Sequence, residues 1–293
     1  MIIDGSKIAE EIQLELYEII KKHSTRPPAL HVIIVGNHPP SEIYVKRKTQ
    51  ACFKIGIASK THQFAPDITE NELLDHIHQL NQNPEVDGIL VQLPLPQHIR
   101  ADRIMLAIDP EKDVDGFHLL NLGKLLAGDP TGFIPCTPLG IQVLLERSGI
   151  KIAGKHVVIL GRSQIVGRPL AALLMQNTPQ ANATVTVAHR QTKNLASLCQ
   201  SADILVGAMG QPNFIKADMI KEGAVVVDVG INRLPAPQLP KGYQIVGDVD
   251  FEAVKERCSF ITPVPKGVGP MTIAMLLSNT LKSYLRRMEK LAS

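Results

Sequence analysis

The segment "HVVILGRSQIVGRPLAALLM", residues 156–175, contains the clearest indication of the fold. It begins with an apolar, β-branched run, passes through a glycine-containing turn and continues as a helical pattern. Strand, turn and helix follow one another in this order in dinucleotide-binding folds. Gly161 permits the tight turn, and the free N–H groups of the following helix favour a bound phosphate. A plain strand–helix turn without a ligand is the alternative.

The glycine pattern of this turn departs from the usual G-x-G-x-x-G. Gly161, Ser163 and Val166 occupy the three glycine positions, and Gly167 follows one residue later. More alternating strands and helices come after the turn, and this context favours a cofactor site. The predicted cofactor-binding turn comprises Gly161, Arg162, Ser163, Ile165, Val166 and Gly167.

The residues after the second strand favour NADP over NAD. An NAD site usually has an acidic residue there, bonded to the ribose 2′-hydroxyl. This chain has "TVAHRQTK" at 186–193, which contains no carboxylate. Arg190, with Arg162 and Ser163, suits a 2′-phosphate, although Arg190 could simply lie on the surface. Ile231, after the apolar run 224–230, completes the predicted cofactor site.

The rest of the chain predicts an α/β fold in two domains. Helical patterns alternate with continuous apolar runs, which are typical of a parallel sheet that is covered on both faces. Prolines in "FIPCTPLG", 133–140, mark the domain boundary, and "LPAPQLPKG", 234–242, predicts a surface turn. The second domain is expected to be a Rossmann-type, doubly wound parallel sheet. The predicted strands are 31–35, 87–94, 155–161, 184–189, 203–210 and 224–230, and the clearest helices are 70–83 and 138–149.

Composition limits the classes of partner. A net charge of +3 over 293 residues is too small to indicate nucleic acid or an anionic membrane as the main partner. No apolar run is long enough to span a membrane. The four cysteines are scattered and form no metal-ligand spacing, so we expect reduced thiols, a cytoplasmic location and no metal.

The segment "SEIYVKRKTQ", 41–50, places two chemically distinctive residues one helical turn apart. Tyr44 and Lys48 share a helix face, whereas Lys46 and Arg47 point elsewhere. A solvated basic helix is the simpler interpretation of this stretch alone.

A set of motifs resembles the bifunctional methylenetetrahydrofolate dehydrogenase/methenyltetrahydrofolate cyclohydrolase family. The motifs run in family order across nearly the whole chain. They are "SEIYVKRK", "DGILVQLPLP", "PEKDVDGFH", "PCTPLG", "GRSQIVGRP", "TKNL", "GAVVVDVGIN", "VGDVDF" and "ITPVPKGVGPMT".

This resemblance implies an enzyme of one-carbon metabolism that uses NADP, acts on tetrahydrofolate derivatives and forms a homodimer. It also implies a folate-binding catalytic domain at 1–138 and an NADP-binding Rossmann domain at 139–269. The C-terminal helix, 270–293, would return to the first domain.

The resemblance also implies the roles of the site residues. Tyr44 would lie against the folate ring, Lys48 would handle the proton and Gln92 would tune Lys48. Asp115 would hold the nitrogen edge of the pterin. The other residues implied in the folate pocket are Leu93, Pro263, Pro265, Gly269 and Pro270.

Elementary chemistry agrees with these roles. A tyrosine ring stacks well on a flat heterocycle, and a carboxylate can accept two N–H bonds from a 2-aminopyrimidinone edge. From the residues alone, however, Asp113 and Asp115 could equally be turn residues before Gly116, and Gln92 could merely end a strand.

Lys266 departs from the family pattern, where P-V-P-G-G-V-G-P-M-T is usual. If the replaced glycine has a positive φ, lysine is strained there. Otherwise Lys266 adds a flexible cation beside the folate pocket. Two rival functions stay open: an NADP-dependent dehydrogenase of a small carbocyclic acid, and a non-catalytic NADP-binding regulator.

Overall fold

A computed structural model describes residues 1–239 and 242–292. The chain forms two compact units. The first unit contains Glu10–Cys136 and the chain from Ile273 onward, and the second contains Met1–Ala9 and Thr137–Thr272. The domain bounds given above stay a prediction.

The first unit is built on a three-stranded parallel sheet with the strand order β2-β1-β3. Helices α1 and α10 each have one end in the other unit. The elements are α1 (Gly5–His23), β1 (Ala29–Val35), α2 (Pro39–Lys54), β2 (Ala58–Phe64), α3 (Glu70–Gln82), β3 (Gly88–Val91), α4 (Ala101–Ala107), α5 (Leu119–Ala127) and α10 (Val268–Ala292).

Local sequence explains where several of these elements begin and end. Thr69 caps α3, because its hydroxyl accepts the Glu72 N–H while the Glu72 carboxylate accepts the Thr69 N–H. Strand β3 is shorter than the predicted 87–94. Its ladder ends where the Gln92 N–H donates to Ile33 O at 2.8 Å, after which the chain turns.

The second unit contains a five-stranded parallel sheet with the order β10-β7-β6-β4-β5. Its elements are α6 (Cys136–Arg147), β4 (His156–Leu160), α7 (Gly167–Leu174), β5 (Thr184–Ala188), α8 (Leu195–Gln200), β6 (Ile204–Gly207), a 3₁₀ turn (Ala217–Met219), β7 (Val225–Asp228), β8 (Asn232–Pro235), β9 (Tyr243–Val246), α9 (Phe251–Val254) and β10 (Phe260–Ile261). Strands β8 and β9 form an antiparallel pair. Residues 240 and 241 of the predicted surface turn, and residue 293 of the predicted C-terminal helix, lie outside the described residues.

The strand order of the second sheet confirms the doubly wound fold. The first crossover leads from β4 to the sheet edge at β5, and the chain then returns past β4 to β6 and β7. All these strands are parallel, so their carboxyl ends lie along one edge of the sheet, where such folds bind ligands. No helix in the described ranges is both long and apolar enough to cross a membrane.

Candidate active site

Helix α2 carries the first pair of predicted site residues. Pro39 and Pro40 form its first turn, where a missing N–H has no consequence. The buried face contains Val45, Lys48 and Cys52, as the helical period requires. Lys48 is only 6% exposed, whereas Lys46 lies in solvent. A buried lysine excludes the simpler interpretation of this segment as a solvated basic helix.

The Lys48 amine is held between an aromatic ring and an amide. Its Nζ lies 5.8 Å from the centre of the Tyr44 ring and donates to Gln92 Oε1 at 3.1 Å. The Gln92 Nε2 donates to Leu93 O at 2.9 Å, which turns the amide oxygen toward the lysine. Ser41 Oγ donates to the same carbonyl at 3.3 Å. The Ser41 bond therefore joins the segment after β3 to the first turn of α2.

Asp113 and Asp115 have different surroundings although they are two residues apart. The Asp113 carboxylate accepts the N–H groups of Gly116, Phe117 and His118 at 2.8–3.2 Å. It also accepts Asn121 Nδ2 at 2.8 Å. Asp113 is thus the turn residue that sequence reasoning left open.

The Asp115 carboxyl instead faces the Cys136 thiol and the Lys48 amine. Burial raises its pKa, and the nearby Lys48 ammonium opposes that rise. Burial also raises the pKa of the Tyr44 hydroxyl. The first unit therefore brings together Tyr44, Lys48 and Gln92, with the Asp115 carboxyl near Lys48, and their roles in a site stay a prediction.

The turn after β4 has the close packing of a dinucleotide-binding turn. Gly161 has φ +129°, and a Cβ there would lie 2.1 Å from Ala208 O. A Cβ on Gly167 would lie 2.0 Å from Gly161 O. Gly167, one position later than the motif expects, thus allows the close contact between helix and turn. Ser163 Oγ accepts the Val166 N–H at 3.1 Å and orders the first turn of α7.

The remaining predicted cofactor residues lie along the same edge of the sheet. Arg190 follows β5, and Ile231 follows β7. Both side chains are exposed, as are Arg162 and Ile165 in the turn after β4. The fold therefore places the turn at Gly161 and two arginines at the edge where parallel sheets bind nucleotides.

Asp248 and Asp250, two residues apart, have different structural roles. Asp248 accepts the N–H groups of Met209, Gly210 and Gln211 at 2.6–2.9 Å and so shapes the loop after β6. Asp250 forms an ion pair with Lys216. Among the described residues, no group of three or more histidine, cysteine or acidic side chains could hold a metal ion.

Comparison with known families resolves the identity of this arrangement. Residues 3–115 match the model for "Tetrahydrofolate dehydrogenase/cyclohydrolase, catalytic domain". Residues 135–288 match "Tetrahydrofolate dehydrogenase/cyclohydrolase, NAD(P)-binding domain".

The chain belongs to the tetrahydrofolate dehydrogenase/cyclohydrolase family.

Individual relatives are similar over nearly their full length. The bifunctional protein FolD of Protochlamydia amoebophila is 61% identical over 284 residues, with 97% of each chain covered. The crystal structure of FolD from Campylobacter jejuni has a TM-score of 0.92 at 49% identity, covering 98% of this chain and 99% of that one. FolD from Trypanosoma brucei, solved with NADP and an inhibitor, has a TM-score of 0.91 at 38% identity, covering 98% and 97%. The predicted family and fold class are confirmed.

The family's proline- and glycine-rich loop lies in the second unit. Lys266 has φ +86°, so the strain expected from its replacement of glycine is present. Its side chain is exposed, and its carbonyl accepts the Ser6 N–H at 3.0 Å. Of the other residues predicted in the folate pocket, Pro265 is exposed, and Pro263, Gly269 and Pro270 are partly buried. The structure describes this loop within its own unit, so its role in folate binding stays a prediction.

Sequence reasoning missed two polar residues beside Asp115. Cys136 is buried, and its thiol donates to Val114 O at 3.3 Å. The Asn279 amide donates to Val114 O at 2.9 Å and to Ile134 O at 3.1 Å. Asn279 could have been identified from the sequence, because it is an asparagine within the largely apolar run "IAMLLSNTL", 273–281.

Proposed function

We propose that this chain oxidises 5,10-methylenetetrahydrofolate with NADP and then hydrolyses the methenyl product to 10-formyltetrahydrofolate. Family membership confirms the predicted pair of activities, and the relative solved with NADP supports that cofactor. The main structural support for these residues as the catalytic group is the Lys48–Gln92 hydrogen bond beside Tyr44 and Asp115. Such a cluster disfavours a non-catalytic regulator, which would need no buried amine.

The second unit fits a dinucleotide. The turn at Gly161 and Gly167 admits no side chain, and the N-terminus of α7 favours a phosphate. When bound there, NADP supplies a hydride acceptor. Arg162 and Arg190 would hold a 2′-phosphate by charge-assisted hydrogen bonds, which is the basis for preferring NADP to NAD.

Asp115 is proposed to orient the folate in the first unit. An ionised carboxylate can accept two N–H bonds from the pterin edge, and this fixes both the plane and the direction of the ring. The Lys48 ammonium favours the ionised form of Asp115, against the effect of burial. Tyr44, one turn from Lys48, is placed to stack on the same ring system.

Lys48 is proposed to carry the proton in the hydrolysis. Water adds to the methenyl cation and loses one proton, which gives a neutral carbinolamine. The bond from that carbon to N5 then breaks, N5 gains a proton, and the hydroxyl loses its own proton to solvent as the formyl C=O forms on N10, so one proton is released overall. A neutral amine at Lys48 can take the first proton from the water, and the ammonium can give it to N5. The Gln92 oxygen accepts from the amine and so fixes its position.

The assay of this function follows two absorbances. The purified chain is given methylenetetrahydrofolate with either NADP or NAD, and the reduced cofactor and the methenyl product are measured together. NADPH formation followed by loss of the methenyl absorbance supports the proposal. Absence of either step, or turnover of a carbocyclic acid instead, contradicts it.

A pair of lysine variants tests the proton carrier. Lys48→Met keeps the side-chain length but removes the amine, so hydrolysis of added methenyltetrahydrofolate should fall by on the order of a hundred- to ten-thousand-fold. Lys46→Met, on the exposed side of the same helix, is the matched control and should hydrolyse at the parental rate. If Lys48→Met, after subtraction of the spontaneous rate, hydrolyses the substrate as fast as the parent protein, Lys48 is not the proton carrier.

We further propose a homodimer that works in the cytoplasm. The support for the dimer is the family resemblance, and the support for the compartment is that all four cysteines are free. Light scattering on the purified chain measures the oligomeric state, and a monomeric mass at assay concentration contradicts the dimer.

A further inference from the structure

Asn279 joins two segments of chain on either side of Asp115. It lies in α10, is 3% exposed and donates both amide hydrogens to backbone carbonyls. One acceptor is Val114 O, directly before Asp115, and the other is Ile134 O, 20 residues further along the chain. The Asn279 amide nitrogen also lies 3.7 Å from Cys136 Sγ.

The two joined segments are in close contact with each other. A Cβ on Gly116 would lie 2.6 Å from Pro135 N, so only glycine fits. The Cys136 N–H donates to Asp115 O at 3.4 Å. The backbone of Asp115 is therefore fixed from three sides: through Val114 by Asn279, at its own carbonyl by Cys136, and through Gly116 by Pro135.

We infer that Asn279 is a positioning residue for Asp115, holding its carboxylate where the folate ring must bind. This inference rests on the proposed role of Asp115. Without the Asn279 donors, the Ile134 carbonyl loses its amide donor and the Val114 carbonyl keeps only the weaker thiol donor of Cys136, which favours separation of the segments and entry of water. Asp115 would then have to be ordered by the substrate, and folate affinity would fall.

Two substitutions at Asn279 and one control separate positioning from general stability. Asn279→Leu removes both donors, and Asn279→Asp keeps the shape but replaces the donors with acceptors. The control is Ser283→Ala, one turn later in α10. Ser283 is equally buried, and its Oγ lies 2.6 Å from Asp87 O and 2.8 Å from Glu111 O, so it also bonds backbone carbonyls but not beside Asp115.

The expected result is a specific loss of folate binding. Asn279→Leu and Ser283→Ala should both lower the melting temperature, but only Asn279→Leu should raise the KM for methylenetetrahydrofolate, by about tenfold. The NADP dissociation constant should stay at the parental value in both. Asn279→Asp should recover part of the folate affinity at low pH relative to Asn279→Leu, because a protonated carboxyl can again donate to a carbonyl.

A second readout does not depend on folate. It is the pKa of the Asp115 carboxyl, which carbon NMR would measure, with Asp115→Asn to assign the signal. Burial raises this pKa and Lys48 opposes the rise, and Asp113 and Cys136 also face the carboxyl. Asn279→Leu should bring this pKa down toward the ordinary value as water enters, whereas Ser283→Ala should leave it unchanged.

The two readouts distinguish failure of the inference from failure of the proposed function. If Asn279→Leu changes neither the folate KM nor the Asp115 pKa more than Ser283→Ala does, the inference is wrong. A changed pKa with an unchanged KM also overturns it, because Asp115 would then have moved without consequence. If the parent protein does not bind folate, the proposed function fails, and the Asp115 pKa alone decides whether Asn279 positions that carboxyl. If Asn279→Leu does not fold, Asn279→Asp is measured at high pH in its place.

Discussion

Replacing Lys266 by glycine is expected to stabilise the protein. Lys266 has φ +86°, a conformation that brings the Cβ of an L-residue too close to the backbone. The side chain is exposed, so its removal uncovers little apolar surface. The hydrogen bond from the Ser6 N–H to Lys266 O involves only the backbone and is kept in the variant.

The size of the effect is a difference between two terms. The left-handed conformation costs a residue with a Cβ roughly 1 to 2 kcal/mol relative to glycine. Glycine gives the unfolded chain more freedom, which offsets roughly 0.4 to 1 kcal/mol of that gain. The net increase in the free energy of unfolding lies between about 0 and 1.6 kcal/mol, and the middle of this range, roughly 0.8 kcal/mol, raises the melting temperature by about 2 °C in a chain of this length.

Thermal melts of three proteins measure this effect. Lys266→Ala is the control, because it removes the charge and the flexible stem but keeps the Cβ that causes the strain. It should melt within about 1 °C of the parent, and Lys266→Gly should melt above both. A Lys266→Gly protein that melts at or below Lys266→Ala would refute the strain argument. The KM for polyglutamyl folate in Lys266→Ala tests the other sequence-based hypothesis, a cation for the folate tail.

Three further perturbations test other parts of the molecule. Arg190→Ala and Arg162→Ala should each reduce the preference for NADP over NAD in calorimetry; equal affinity of the parent for both cofactors would contradict the assignment. Asp115→Ala should weaken folate binding without changing NADP affinity, whereas an equal loss of both would mean that Asp115 is structural. Burial and nearby basic groups lower the pKa of His62 to about 4, so the folded state keeps its ring neutral. The unfolded chain binds a proton at His62 below its pKa of about 6.5, whereas the folded chain does not until the pH nears 4, so the free energy of unfolding falls as the pH drops through this range. His62→Phe should therefore flatten the decline in melting temperature between pH 6.5 and 4. An unchanged slope would contradict this role of His62.

Much of the fold could be predicted from local pattern. The apolar run that became β4, the turn at Gly161 and the helix α7 follow from residues that are neighbours in sequence. The one-turn spacing of Tyr44 and Lys48 was equally local, because helix geometry alone places them on one face. The sequence shows that a glycine stands at position 167, one residue later than the usual motif. It does not show the reason, which is that a Cβ at this position would collide with Gly161 O.

The α/β class, the glycine turn of the second domain and the residues available for chemistry can be read from the amino-acid sequence. Their different environments become visible only in the folded chain. Asp113 and Asp115 look alike in "KDVDGF", yet the first uses its carboxylate on three backbone N–H groups and the second is left beside Lys48. Asn279 reaches Val114 across 165 positions of sequence. Periodicity and turn chemistry depend on neighbouring residues, whereas the environment of a carboxyl or an amide depends on which distant segments pack against it, and no local pattern contains that information.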